Sequence, residues 1–351
     1  MTSWMKALKD QKLDVKSARD ALQVRGWLDT GNYALNWALS GRFLRGYPLG
    51  HTAEIFGDPG TGKSFLVARA IAAAQSAGGV ALLDDTEGAY NAEHSARLGI
   101  DVNELAVVNS LTVKEHLKAA QSFLAAFPTL KRKGPGILAC DSLAQLSTEH
   151  EMEQQLEKRD MSKAGELKAF YRLVGGTLLN LNAIHLATNH IIAAIGNAWQ
   201  PRTTPGGGGA KYSATQRLDM RTVSKIKSGE EYIGVIVTVF VDKNRIAPPW
   251  KRVQMSIPFD KPIERHSGLI PVLTDLGVLH EKGQFLFCNG KKVGRSYADN
   301  KARFLDQDDV GGGILAAFPK LLEETDELLE EGKLGGSKPS AEIEVPEKET
   351  A

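Results

Sequence analysis

The sequence predicts an α/β protein whose mostly parallel, twisted sheet carries helices on both faces. One observation is a glycine-rich stretch between a short apolar run and an Ala-rich segment without Gly or Pro, which is the order strand, loop, helix. A second is the alternation of apolar runs with helical stretches from residue 53 to residue 259. Continuous apolar strands separated by helices are typical of a parallel sheet buried on both faces.

Composition limits the class of protein. The 351 residues allow one large α/β domain with additions or two modest ones, and 42% hydrophobic residues can form a large core. A net charge of +1 excludes a protein that is basic over its whole surface, so a nucleic-acid site would have to concentrate its cations in a groove. Cys140 and Cys288 are predicted to be buried thiols rather than a disulfide. We find no bilayer-length apolar run and no signal-peptide core, so we expect a cytoplasmic protein without a membrane partner.

Four regions differ in pattern. We expect a short helical arm at residues 1–35, which packs on this subunit or a neighbour, and the α/β core at 36–268. A small α/β C-terminal domain follows at 269–332 and ends in an amphipathic helix, Ile314–Glu331. Residues 333–351 predict a disordered, weakly acidic tail. The predicted strands are Ala53–Phe56, Gly79–Asp84, Leu105–Asn109, Gly136–Asp141 and Ile184–Asn189, extended by an antiparallel hairpin of Arg217–Val223 and Tyr232–Val241.

The glycine-rich stretch is the strongest motif. Its residues fit the pattern G-x-x-x-x-G-K-[ST]: Gly57, Asp58, Pro59, Gly60, Thr61, Gly62, Lys63 and Ser64. Backbone N–H groups of such a loop, together with the N-terminus of the following helix, bind phosphate. Lys63 would reach the β- and γ-phosphates, and the Ser64 hydroxyl would bind Mg²⁺. An accidental glycine turn is the alternative, but the matching strand and helix favour a nucleoside triphosphate site.

Carboxylates follow two of the predicted strands. Asp141 ends an apolar strand, at the sheet edge where it could hold Mg²⁺ through water, although such an Asp is also common as a helix cap. Asp84, Asp85 and Glu87 follow the strand after the glycine loop. One of them could deprotonate the attacking water, or pair with Lys63, or lie solvated in a loop. The residues alone do not say which acid is the base.

Cations lie in three places after the predicted metal site. Those between residues 148 and 181 are mixed with glutamates, which is typical of a solvated helix face. The stretch Asn197–Tyr212 combines cations, glycines and an aromatic near each end, and a long loop without structure of its own in a compact domain is usually functional. It suits phosphate contact with base stacking, or it is a generic surface loop.

His190 is either a core histidine or a reporter of triphosphate to that loop. Lys243 and Arg245 are either solvated or reach a neighbour's nucleotide.

The order of these motifs resembles the RecA/RadA strand-exchange recombinases, and looks closest to the phage UvsX-like branch, from about Leu39 to Leu305. The resemblance implies a RecA-like ATPase core with ATP and Mg²⁺, in which Glu87 of Asp85-Thr86-Glu87 is the general base. Asp141-Ser142 matches the end of the Walker B strand. Residues 243–248 are similar to the family's Lys-Asn-Lys-Ile-Ala-Ala-Pro, whose two cations contact ATP across the filament interface.

The resemblance also assigns residues to sites. Nucleotide contacts are implied for the glycine loop, Phe65 and His94, and catalytic roles for Lys63, Glu87, His190, Lys243 and Arg245. DNA contacts are implied for Arg172 and for the glycine-rich loop with Gly206, Gly207, Gly208, Gly209, Lys211 and Tyr212, and the composition of their segments adds Lys163, Trp199 and Arg202. Three positions depart from the bacterial pattern: His190 replaces Gln, as in the phage branch, His94 replaces an aromatic beside the adenine, and Arg245 replaces Lys. The first DNA loop, roughly Glu149–Ser162, is hardly recognisable.

The implied function is ATP-dependent homologous recombination and repair. Subunits would form a helical filament on single-stranded DNA, pair it with duplex DNA, and hydrolyse ATP at their interfaces; a single-strand-binding protein and a loader are further expected partners. A ring-forming replicative helicase is the main alternative, and the short stretch before the glycine loop and the Lys-Asn-Arg-Ile-Ala-Pro motif argue against it. A non-hydrolysing scaffold is disfavoured because Lys63, Glu87 and Asp141 are all present.

Overall fold

The computed structural model describes residues 2–13, 15, 17, 24–153, 162–193, 202–205, 208–295 and 311–334. Several expectations lie outside the described residues. They concern Trp199, the pair Gly206 and Gly207, residues 154–161 of the first DNA loop, residues 296–310 of the predicted C-terminal domain, and the tail from residue 335 onward.

The described strands are β1 Trp27–Leu28, β2 Tyr47–Pro48, β3 Thr52–Gly57, β4 Val80–Asp85, β5 Leu105–Val108, β6 Gly136–Asp141, β7 Ala183–Asn189, β8 Ile192–Ala193, β9 Arg202–Thr203, β10 Gln216–Ser228, β11 Glu231–Asn244, β12 Arg252–Pro258, β13 Leu279–Lys282, β14 Phe285–Cys288 and β15 Lys291–Arg295. Eight of them form the main sheet in the order β12-β11-β10-β3-β7-β6-β4-β5. From β10 to β5 the neighbours pair in parallel, whereas β11 is antiparallel to both β10 and β12. The predicted parallel sheet with its antiparallel extension is confirmed.

The described helices are α1 Ser3–Asp10, α2 Tyr33–Ser40, α3 Lys63–Ser76, α4 Ala92–Arg97, α5 Val113–Ala126, α6 Glu149–Glu153, α7 Ser162–Leu178, α8 Gly208–Ser213, α9 Leu269–Asp275 and α10 Leu321–Glu330. Residues 311–317 are also helical. The prediction of one continuous helix Ile314–Glu331 is therefore wrong. Pro319 explains the break, because proline disfavours helical backbone at the preceding residue, Phe318.

Two buried apolar clusters lie on opposite faces of the sheet. Along β6, Ile137 and Ala139 belong to one cluster, and the intervening Leu138 and Cys140 belong to the other. The first cluster contains residues of α3 and continues into α9, the three-stranded sheet β13–β15 and α10. The second contains residues of α5 and α7. The prediction of helices on both faces is thus confirmed, and both free cysteines are buried, as expected.

The start of the chain has two parts with different burial. Helix α1 buries none of its residues, and Trp4 is 61% exposed. Helix α2 crosses the predicted boundary between residues 35 and 36, and its Ala34 and Leu35 are fully buried. Among the described helices, none combines the length and the apolar character that crossing a bilayer requires.

Candidate nucleotide and nucleic-acid site

The glycine loop connects β3 to α3 at the carboxyl edge of the main sheet. Gly60 and Gly62 have φ angles of +72° and +85°, which favour glycine because a Cβ would strain them. Gly57 pairs with Met220 of β10, and a Cβ there would lie well inside 3.0 Å of the Met220 carbonyl oxygen. Lys63, the first residue of α3, donates from Nζ to the carbonyls of Gly57 (3.1 Å) and Asp58 (3.0 Å). The lysine therefore lies folded over the loop.

Charges of both signs meet next to this loop. Burial lowers the pKa of the Lys63 ammonium, and nearby carboxylates, led by Asp141, oppose that shift. Burial also raises the pKa of Asp141, whereas hydrogen bonds from Thr188 and Ser64 act in the opposite direction. The charged form of each group is therefore stabilised by the opposite charge of the other, as expected where water is partly excluded.

Ser64 and Asp141 form the donor set for a divalent cation. Their side chains are hydrogen-bonded to each other, and the Thr188 hydroxyl also donates to the Asp141 carboxylate. A hydroxyl and a carboxylate are hard oxygen ligands of the kind that Mg²⁺ uses together with phosphate oxygens and water. The residues present fit the ion that the glycine loop implies.

The three acids after β4 have different environments. Asp84 is fully buried and accepts hydrogen bonds from the Ser110 backbone and from Nδ1 of His116 (2.7 Å). Asp85 accepts from the backbone N–H groups of Ala89 (3.2 Å) and Tyr90 (2.9 Å), and so holds the turn that follows the strand. Both carboxylates are therefore committed to structure. Asp85 and Glu87 both line the cavity beside the glycine loop, but Glu87 is the acid whose side chain contacts Ser142 and His190.

Glu87 is held between the ends of β6 and β7. Its backbone N–H donates to the carbonyl of Asp141 (3.3 Å). Its Oε1 accepts from Ser142 Oγ at 2.7 Å and from His190 Nε2 at 2.9 Å. Because an ionised carboxylate only accepts hydrogen bonds, His190 carries its proton on Nε2 in this contact. The structure thus brings together the acid and the histidine that the sequence singled out separately.

A cavity of about 160 Å³ lies beside the glycine loop. Apolar side chains of α3 and α4 line much of it, and Ser64, Glu87 and Asp141 lie at its polar side. Phe65 and His94 meet edge to face, with ring centroids 5.4 Å apart. The structure therefore places both residues, which the resemblance assigns to the nucleotide, next to the phosphate loop.

The predicted structureless loop Asn197–Tyr212 is partly ordered, so that expectation is wrong in part. Strand β9 pairs with β8, and α8 begins at Gly208 and contains Gly209, Lys211 and Tyr212. Lys211 is exposed, and Tyr212 is 70% exposed. Carbonyl groups at the end of this short helix have hydrogen-bond partners at and just after the end of β11.

Those partners are Lys243, near the end of β11, and Arg245, which follows the strand. Lys243 Nζ donates to the carbonyls of Lys211 (3.0 Å) and Tyr212 (2.7 Å), and Arg245 Nη2 donates to the same Tyr212 carbonyl (2.7 Å). Both cations thus bind the negative, C-terminal end of α8. Burial and the positive charge of Arg245 lower the pKa of Lys243 to about 8. Sequence reasoning did not predict this contact within one subunit.

Helix α7 holds two of the predicted DNA-contacting cations in different environments. Arg172 is exposed. Lys163 is half-buried, donates to the carbonyl of Ala144 at 2.7 Å, and has its pKa lowered by burial. Arg202 is placed by its backbone in β9.

Sequence reasoning missed a buried network beneath the site. Glu54 of β3 is fully buried and receives hydrogen bonds from Asn189 and Arg217, the residues at the end of β7 and the start of β10. The signal was present in the sequence, since a glutamate interrupts the apolar run Ala53–Phe56. A charge in a central strand needs a buried partner.

Comparison with known proteins places these features in one family. The family model for the RecA N-terminal domain matches residues 12–264. The RecA protein of Bacteroides thetaiotaomicron is 30% identical over 298 residues, which cover 84% of this chain and 88% of the relative. That of Chloroherpeton thalassium is 31% identical over 313 residues, with 88% and 83% covered. That of Mycobacterium avium is 30% identical over 320 residues, with 88% and 87% covered.

Proposed function

The chain belongs to the RecA family, and from that premise we propose that it is a DNA-dependent ATPase that forms helical filaments on single-stranded DNA and exchanges strands with a homologous duplex. The contact between Glu87 and His190 is the observation that carries this proposal. It joins the acid next to the phosphate loop to the residue that precedes the loop segment 191–212. A series of contacts of this kind lets a bound triphosphate change the conformation of a DNA-binding loop.

The nucleotide would bind with its phosphates against the backbone N–H groups of the glycine loop. Lys63 would leave the carbonyls of Gly57 and Asp58 and donate to the β- and γ-phosphates. Ser64 and Asp141 would hold Mg²⁺, which when bound neutralises charge that develops on the phosphate oxygens. His94 and Phe65 would contact the base.

Glu87 would act as the general base in hydrolysis. Its Oε1 accepts from both Ser142 and His190, so Oε2 is the oxygen available to orient water and accept its proton. In hydrolysis the water oxygen would bond to the γ-phosphorus while the bond to the bridging oxygen breaks, so the γ-phosphate would leave as inorganic phosphate and the diphosphate would stay on the loop. Glu87 would then have lost both the water that it oriented and the phosphate beyond it. The hydrogen bond to His190 then lets the histidine report the state of the site to the loop segment.

Lys243 and Arg245 would complete the nucleotide site of the neighbouring subunit. Lys243 lies near the end of β11 and Arg245 in the connection to β12, and Arg245 is exposed. A head-to-tail contact that does not close produces a helical filament, and positive side chains supplied in trans stabilise charge in the transition state. The same two cations bind the end of α8 within the DNA loop, so filament assembly and the structure of that loop would both depend on them.

DNA contacts would be made by Lys163, Arg172, Arg202, Lys211 and Tyr212, together with the glycines of the loop and Trp199. Contacts to the DNA backbone leave base edges free to pair with a second molecule, which strand exchange requires. The exposed Arg172 and Tyr212 support this assignment more directly than the half-buried Lys163 does.

Several finer points belong to the same proposal. We place the chain in the phage UvsX-like branch, in the cytoplasm of a bacterium or of a phage-infected host, with a single-strand-binding protein and a loader as partners. We also propose that the chain is divided into an arm (1–35), an ATPase core (36–268), a C-terminal domain (269–332) and a tail (333–351). The exposed amphipathic helix α1 supports an oligomerisation role for the arm.

The test compares ATP turnover with and without single-stranded DNA and images the same samples by negative staining with a slowly hydrolysed ATP analogue. DNA-stimulated turnover, open helical filaments and strand exchange between single-stranded DNA and a labelled homologous duplex are the expected results. Closed rings that unwind duplexes would indicate the helicase instead. Assembly without turnover would indicate a scaffold and would contradict the role of Glu87.

A further inference from the structure

The ATPase reaction does not require a buried carboxylate in the strand before the glycine loop, yet Glu54 occupies that position. Its side chain is fully buried. Oε1 accepts from Asn189 Nδ2 at 2.8 Å, and Oε2 accepts from Arg217 Nε at 2.5 Å. Burying a charge is costly unless it is paired and hydrogen-bonded, and here each carboxylate oxygen has its own partner. The pair therefore has a specific geometry.

Arg217 extends this pair in two more directions. Its Nη1 donates to Asp242 Oδ2 at 2.8 Å, and its Nη2 reaches Thr204 Oγ1 at 3.4 Å. The guanidinium also lies 4.3 Å from the centroid of the Phe56 ring. A planar guanidinium presents donors in a fixed fork, so its three nitrogens fix three partners relative to one another.

Asn189 extends the network on the other side of Glu54. Its Nδ2 also donates to the carbonyl of Pro205 at 3.4 Å, and its Oδ1 accepts from the backbone N–H of His190 at 3.0 Å. The network thus reaches the residue that contacts Glu87. It also reaches both described residues, Thr204 and Pro205, that follow β9 in the loop segment.

These contacts converge on the parts of the site that must act together. One arm ends at His190, beside the candidate base. A second ends at Thr204 and Pro205, before the glycines of the DNA loop. The third ends at Asp242, the residue before Lys243, whose ammonium binds the end of α8. Among the described residues around the site, Glu54 and Arg217 connect all three.

We propose that the buried ion pair Glu54–Arg217 couples the nucleotide site to the DNA loop, with both members acting as positioning residues. The inference rests on the proposed function. Neither residue contacts nucleotide or DNA; they act through Asn189, Thr204 and Asp242. A shift of the β7 end that accompanies triphosphate binding is transmitted because the directional hydrogen bonds move Thr204 and Pro205 with it.

The first variant is Arg217→Lys, which keeps the charge but replaces a fork by a single ammonium. We expect the turnover without DNA to stay within about twofold of wild type, and its stimulation by single-stranded DNA to fall at least about fivefold, the lower end of typical coupling between sites. Arg252→Lys is the matched control, because Arg252 also lies over a phenylalanine ring, that of Phe240 at 5.3 Å, on an exposed part of the same sheet. The control should keep its stimulation.

The second set separates coupling from stability. Arg217→Met leaves the buried Glu54 carboxylate without its cation, and Glu54→Gln leaves the buried Arg217 with Asp242 as its remaining carboxylate partner, so both should destabilise the fold and the arginine variant more. The double variant removes both charges of the pair and should regain much of the lost stability. We expect DNA stimulation to stay lost in the double variant, because Thr204 and Asp242 still lack the guanidinium. If stimulation returned together with stability, or if Arg217→Lys kept it, the inference would be overturned.

The two proposals fail in different ways. If the wild-type protein shows neither DNA-stimulated turnover nor filaments, the proposed function is wrong, and the coupling falls with it. If the wild type shows both and the Arg217→Lys protein behaves like Arg252→Lys, only the coupling role is wrong. Urea denaturation of each variant supplies the stability measurement for both comparisons.

Discussion

Two glycines of the phosphate loop, Gly57 and Gly60, should respond very differently to alanine. A Cβ on Gly57 would lie well inside 3.0 Å of the Met220 carbonyl oxygen and 3.1 Å from the Met220 Cβ. That carbonyl is backbone in β10, which is held by β3 on one side and β11 on the other. Relieving this clash requires β3 and β10 to move apart. A Cβ on Gly60 meets nothing within 4 Å, so only its φ angle of +72° opposes the change.

The expected magnitudes follow from these geometries. Overpacking of a well-packed interior costs about 1–3 kcal/mol, and occasionally more, which applies to Gly57→Ala. A non-glycine residue in the left-handed region costs about 1–2 kcal/mol, which sets the upper range for Gly60→Ala. Displacing the base of the loop by about 1 Å should also cost on the order of 100-fold in turnover, an effect that Gly60→Ala lacks.

Urea denaturation and nucleotide binding, measured on both variants, give the test. We expect Gly57→Ala to lose more stability than Gly60→Ala and to lose nucleotide binding and turnover together. Equal losses in the two variants would refute the steric argument. So would a Gly57→Ala protein that binds nucleotide as wild type does.

Three further predictions concern catalysis, pH and assembly. Glu87→Gln should lower ATP turnover by about 10²–10⁴-fold while nucleotide binding stays near wild type, because the general base is lost and the phosphate contacts remain. Burial places the pKa of His185 well below its usual value of 6.5, so the unfolded chain binds up to one more proton than the folded protein as the pH falls below 6.5. Stability should then fall with decreasing pH, and His185→Gln should reduce the fall between pH 6.5 and 5.5 by about 1 kcal/mol in urea denaturation, because the unfolded histidine goes from about half to about nine-tenths protonated. Lys63→Met and Lys243→Met should each be inactive alone, whereas an equimolar mixture should regain activity at roughly a quarter of its interfaces, because a head-to-tail contact pairs one subunit's loop with the other's cation.

Each of these has an outcome that would contradict it. Unchanged turnover in Glu87→Gln would remove it as the base, and Asp85→Asn serves as the control that changes a neighbouring acid. An unchanged pH slope in His185→Gln would mean that the histidine is already protonated in the folded state. An inactive mixture, with filaments visible, would place Lys243 in its own subunit's site rather than the neighbour's.

The fold could be predicted largely because the strands of the parallel sheet are mostly apolar, with Glu54 of β3 as an exception. The runs at β3, β6 and β7 stand out from the helical segments between them, and the glycine loop fixes which strand carries the phosphates. Boundaries were less certain. The hairpin strands β10 and β11 extend several residues beyond the predicted apolar runs, because their tips are polar and backbone pairing continues there.

The site was predicted less completely than the fold. Local motifs identified Lys63, Ser64, Asp141 and Glu87, but patterns along the chain do not show which carboxylates are committed elsewhere. The contact of Asp84 with His116, which is 32 residues away along the chain, distinguishes this structural acid from the candidate base Glu87. Likewise, the binding of Lys243 to the end of α8 joins segments that no local pattern connects.

The position of β3 in the sheet has a consequence for synthesis of the protein. Its partners are β7 and β10, so that Thr52 pairs with His185 and Gly57 with Met220. A nascent chain still short of residue 220 has made the glycine loop but lacks the strand on one side of it. Contacts so distant along the chain form late and slowly. The nucleotide pocket is therefore among the last parts to be completed, and ribosome-bound chains halted before β10 should not retain nucleotide, whereas chains released after β12 should.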